Sequence, residues 1–89
     1  MPGATIITGP YGLNLAGWER SSIWGLDRME ATYGLFAQLW RNTDSADYEP
    51  RHWIMEVQDL PTLARKIAAA TGASEDAAAC AIAQSLGWA

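Results

Sequence analysis

The sequence predicts an α+β fold: a small antiparallel sheet of about three strands from the N-terminal two thirds, packed by a C-terminal two-helix hairpin. The first observation is a change of composition near residue 59. All three tyrosines, the single phenylalanine, four of the five tryptophans and six of the eight glycines precede it, and alanine dominates the remainder of the chain. Aromatic residues favour strands and glycine favours turns, whereas alanine is the strongest helix former. The second is that the aromatic half consists of short apolar runs separated by turn-forming or polar residues, as strands are. The third is that Asp59 and Ser74 each stand where a helix N-cap is needed, with Gly72 and Gly87 where helices stop.

In chain order, residues 4–8 (Ala-Thr-Ile-Ile-Thr) read as a short strand ended by a turn at Gly9-Pro10-Tyr11-Gly12, and Leu13 to Gly17 as loop. Ser22 to Leu26 reads as a strand, followed by a polar break at Asp27-Arg28-Met29-Glu30. Thr32 to Arg41 is expected to be the longest strand. Tyr33, Leu35, Ala37 and Leu39 fall on one face, with Phe36, Gln38 and Trp40 on the other. Asp27-x-x-Glu30 also fits a capping box, and Met29, Tyr33, Phe36 and Trp40 fit helical spacing. Gly34 and the density of aromatic residues favour the strand. Asn42 to Pro50 is a polar loop. His52 to Val57 is a further strand, with Trp53, Met55 and Val57 on one face and His52, Ile54 and Glu56 on the other, and Phe36, Trp40 and Ile54 are expected on the sheet face that a one-sided helical cover leaves exposed.

Asp59 caps the first helix, and Pro61 sits in its first turn, where a missing N–H costs nothing. Leu60, Leu63, Ile67 and Ala70 form its apolar stripe. Ser74 caps the second helix, whose positive end is favoured by Glu75 and Asp76. Ala78, Ile82 and Leu86 form its inner face, and Trp88 is expected to fold back near Ile82 and Ala83.

Eighty-nine residues make one domain, read as residues 1–58 in strands and loops and 59–89 in the hairpin. The core must be thin at this size. Trp18, Trp24, Trp40, Trp53 and Trp88, each able to bury on the order of 200 Å², compensate. A formal charge of −4 disfavours polyanionic partners. Cys80 is the only cysteine, so no intramolecular disulfide forms. The N-terminal stretch lacks the basic region of a signal peptide, and no stretch is long enough to span a bilayer. A cytoplasmic location is expected.

No catalytic, cofactor or metal site is expected from the residue types. A four-ligand metal site cannot be built from His52 and Cys80 without distant carboxylates; His52 reads as a strand residue and Cys80 as a small helix-packing residue. Cys80 lies mid-helix among alanines, away from anything that would activate its thiol. Thr8-Gly-Pro-Tyr-Gly12 lacks the Gly-Lys-Ser/Thr ending of a phosphate-binding loop. Asp44, Asp47 and Glu49 share one polar loop, where all three are expected to be solvated and ionised rather than set apart as acid and base.

Ala68-x-x-x-Gly72-x-Ser74, followed by Ala77, Ala78 and Ile82, resembles the helix-turn-helix motif of DNA-binding regulators over about 16 residues. The resemblance implies that the second helix meets base edges. Those positions here are Glu75, Asp76, Ala77, Ala78 and Ala79, which repel phosphates and offer no donors. The neighbouring cations, Arg65 and Lys66, lie on the first helix. A nucleic-acid-binding regulator is therefore the alternative expectation. The leading one is a non-enzymatic module that binds a protein chain or itself. Its expected contact residues are Trp40, Asp44, Asp47, Tyr48 and Trp53, aromatic anchors beside a cluster of negative charge.

Overall fold

The computed structural model describes residues 9–27, 34–45 and 48–87. Strands β1 (Tyr11–Gly12), β2 (Ile23–Asp27), β3 (Gly34–Leu39) and β4 (His52–Val57) form one antiparallel sheet in that spatial order. Helices α1 (Leu60–Thr71) and α2 (Glu75–Ser85) come after them. The α+β architecture is the one expected, with four strands in place of about three. The additional strand, β1, is two residues long and lies in the segment read as a turn. Tyr11 pairs with Trp24 across the strands, and the two rings lie 5.0 Å apart. From Gly34 to Leu39 the chain is strand rather than helix and ends before the expected Arg41, while residues 32 and 33 of the expected strand lie outside the described residues. The expected strand at 4–8, the capping pattern at 27–30 and the Trp88 fold-back fall wholly or partly outside the described residues.

Both helices cover one face of the sheet. Leu63, Ala64, Ile67 and Ala68 of α1 and Ala78, Ala81 and Ile82 of α2 share a core with Trp24, Leu35, Ala37, Leu39, Ile54 and Val57. Leu60, Ala70 and Leu86, expected on the inner stripes, are half-buried at its margin. Ala64, Ala68 and Ala81 complete the buried stripes instead, because alanine lets the helices approach one another closely. Leu13, Leu15 and Trp18 enter the same core from the connection between β1 and β2, so that loop is an apolar plug. Trp24 is fully buried and its Nε1 has no hydrogen-bond partner among the described residues. An unpaired donor costs about 1–3 kcal/mol. Removing on the order of 200 Å² of indole from water contributes about 5 kcal/mol and outweighs it.

The helix ends obey the local chemistry. Asp59 Oδ1 accepts the Thr62 N–H at 2.8 Å, and Ser74 Oγ accepts the Ala77 N–H at 3.0 Å. Gly72 takes the left-handed conformation, φ 80°, and its N–H reaches the Ala68 carbonyl at 2.9 Å.

One irregularity sets which residues of β4 face the core. Leu35 pairs with Val57 and Ala37 with Ile54, so two steps on β3 oppose three on β4. This is a β-bulge, and Glu56 adopts φ 57° within it. The extra residue rotates the end of the strand, so Ile54 and Val57 both face the helices, 8% and 3% exposed. Strict alternation had placed Val57 with Trp53 and Met55 and left Ile54 on the opposite face with Glu56. The expectation of Ile54 on the exposed face is corrected: Ile54 is buried beneath the helices, and Trp53 and Met55 take the exposed side without Val57.

Candidate functional site: the open face of the sheet

The sheet face turned away from the helices carries the apolar surface. Antiparallel register aligns Ile23, Gln38 and Trp53 in one row across β2, β3 and β4, with Gly25 opposite Phe36 in the next. Ile23, Phe36 and Gln38 are half-buried. At the β4 side, Trp53 is 54% exposed and Met55 41%. An indole and a thioether on successive outward positions of one strand form an exposed apolar surface.

The loop from Trp40 to Arg51 closes one end of this face. Trp40 is 9% exposed and stands outside the main core cluster. Its main-chain N–H and carbonyl both meet Ser22 Oγ at 3.0 Å, and its Nε1 donates to the Tyr48 carbonyl at 3.2 Å. Trp40 therefore anchors the loop from beneath. The expectation of a surface anchor is corrected: the ring is buried and its Nε1 is held by a carbonyl eight residues on, which alternation alone cannot reveal.

Asp44 is engaged within the loop. Its carboxylate accepts from Arg51 Nη2 at 2.7 Å, Arg51 Nε at 3.1 Å and the Arg41 N–H at 3.0 Å. The Arg51 hydrogen bonds, with the Arg41 amide, hold the Asp44 carboxyl below its usual range, and the same pair raises Arg51. The expected cluster of free negative charge is thus partly neutralised. Tyr48 is 78% exposed and Glu49 is exposed, while Asp47 lies outside the described residues. Of the four expected contact residues that are described, Tyr48 and Trp53 are the exposed ones. Met55, which alternation already placed beside Trp53, and the half-buried Ile23, aligned with it in register, join them.

Elsewhere, His52 packs its ring 5.9 Å from Trp18, over which Arg41 also lies at 5.5 Å. Cys80 is exposed on α2, not a helix-packing residue, because Ala78, Ala81 and Ile82 take the inner positions. Among the described residues, no three His, Cys, Asp or Glu side chains cluster so as to hold a metal, and no helix is long and apolar enough to cross a membrane. Leu60, Pro61, Ala64, Ala79, Ile82 and Ala83 line a shallow apolar groove of about 250 Å³ between the helices, below the range of ordinary ligand pockets. No protein-family model, curated protein or solved structure matches the chain.

Proposed function

We propose that the protein is a small non-enzymatic interaction module that binds a protein chain through the open face of its sheet, with Trp53 as the anchor. The observation that carries this reading is the half-exposed Trp53 beside Met55 on the outward face of β4, at the edge of the sheet. Tryptophan and methionine are enriched in interface cores, where large rigid rings supply most of the affinity. Tyr48, at the rim, supplies a further aromatic contact with a polar tip. Nucleic acid fits this surface less well: the chain carries ten acidic against six basic residues, and the exposed N-terminal turn of α2 presents Glu75 and Asp76. A cytoplasmic location agrees with a chain whose lone cysteine is free.

A photoreactive amino acid placed at position 53, and separately at Ala69 on the exposed side of α1, tests the reading in the source cell. Protein adducts from position 53, reduced by Met55→Ala and missing from position 69, are expected. Equal labelling from both positions in soluble, folded protein would sink the proposal.

A further inference from the structure

Among the described residues, the main chain of β4 is open along one side. The Leu13 N–H donates to the Ser22 carbonyl at 3.1 Å, so the main chain of residue 22 faces β1. Main-chain groups alternate sides along a strand, so Ile23 faces β3 and exchanges hydrogen bonds with Gln38. Ala37 and Leu39 then face β4 and engage Ile54 and His52. The Trp40 N–H, which turns back to Ser22, agrees with this alternation. By the same alternation the N–H and carbonyl of Trp53 point away from the sheet, where they have no hydrogen-bond partner among the described residues.

Among the described residues β4 is thus an edge strand whose outward main-chain groups are unpaired beside its exposed indole. The other edge, β1, is only two residues long and cannot template a pairing. The bulge at Met55 and Glu56 limits the available edge to residues 51–55. The segment is also charge-complementary to itself when reversed: Arg51 stands at one end and Glu56 at the other, both exposed. Antiparallel pairing of two copies brings Arg51 of each towards Glu56 of the other, whereas parallel pairing sets like charges together. Asp44 engages Nε and Nη2 of Arg51, which leaves the Nη1 edge of its five-donor fork for a second carboxylate.

We infer that the partner is a second copy of this chain, joined antiparallel along β4 about a two-fold axis near Trp53, so that two sheets become one and the two open faces merge. This deepens the interaction-module reading and rests on it. An isologous contact of this kind closes on itself and stops at a dimer.

Sedimentation of wild type, Arg51→Glu, Glu56→Arg and an equimolar mixture of the two variants tests the pairing. A wild-type dimer is expected, with each variant alone dimerising at least tenfold more weakly. The mixture should recover wild-type association, because positions 51 and 56 then carry opposite charges in both contacts of the mixed dimer. Amide exchange gives a second readout: the Trp53 N–H should be protected at concentrations where the dimer forms and exchange freely on dilution. A chain that stays monomeric to millimolar concentration, or a dimer in which the Trp53 amide exchanges freely, overturns the self-pairing. Adducts from position 53 to other proteins would still uphold the module reading in that event, so the two failures are distinguishable.

Discussion

Gly34 adopts φ 147°, and a Cβ built there would stand 2.9 Å from the Glu56 Cα. Backbone pressed against backbone cannot give way as a flexible side chain does. This glycine is what allows β3 to approach the bulged end of β4. Gly34→Ala is therefore expected to cost about 2 kcal/mol or more, through strain and the clash together, and denaturant unfolding measures it. Trp40 and Trp53 form a contrasting pair on the same outward side of the sheet. Trp40 is buried and holds the loop through Nε1, so Trp40→Ala should cost about 3–5 kcal/mol and open the 41–51 loop. Trp53→Ala should cost no more than about 2 kcal/mol, because more than half of its surface is already in water. Equal losses from the two substitutions would contradict the burial of Trp40.

At the scale of elements, α1 is fixed at its start by Asp59. Its carboxylate accepts the Thr62 amide, and that hydrogen bond depresses its pKa. A carboxyl depressed on folding contributes stability that is complete above its unfolded pKa and is lost as pH falls through the folded value. Wild type should accordingly lose Tm relative to Asp59→Asn below about pH 4, since asparagine caps as well and does not titrate there. The comparison cancels the parallel titration of Asp44, which both proteins share. Leu63 is fully buried and Leu86 only half-buried. Leu63→Ala should cost about 2–5 kcal/mol and Leu86→Ala clearly less. Thermal melts that rank them the other way would mean that α2, rather than α1, is pressed against the sheet.

At the scale of the whole molecule, all helical cover among the described residues lies on one side, and the exposed apolar residues of the other side are concentrated toward β4. Two helices of 12 and 11 residues packed beside one another cannot wrap a four-stranded sheet, so they leave the second face uncovered. The net charge of −4 governs which partners approach that face without repulsion. Duplex DNA should bind weakly. Its log–log salt slope should be shallow, near −2 if Arg65 and Lys66 each neutralise a phosphate at about −0.9 per contact. A steep slope in fluorescence anisotropy, abolished by changes in α2 alone, would favour the helix-turn-helix alternative.

Local chemistry by itself determined the helical hairpin. Asp59, Pro61, Gly72 and Ser74 act within a few residues of their own positions, so caps and stops are legible without knowledge of anything distant. The β4 segment is equally plain, because residues 52–57 alternate between turn-rich flanks, but which tryptophans are exposed is not, since Trp40 and Trp53 read alike in the sequence and fold to opposite burial. Tertiary structure decided the rest. The bulge that turned Val57 to the core depends on Gly34, on a different strand and far away in sequence. The burial of Trp40 depends on the path of a polar loop whose composition says only that it is a loop. Asp44 read as free charge until folding set Arg51 against it. Each of these outcomes depends on contacts between segments that sequence spacing leaves independent, and only the closed sheet brings them together.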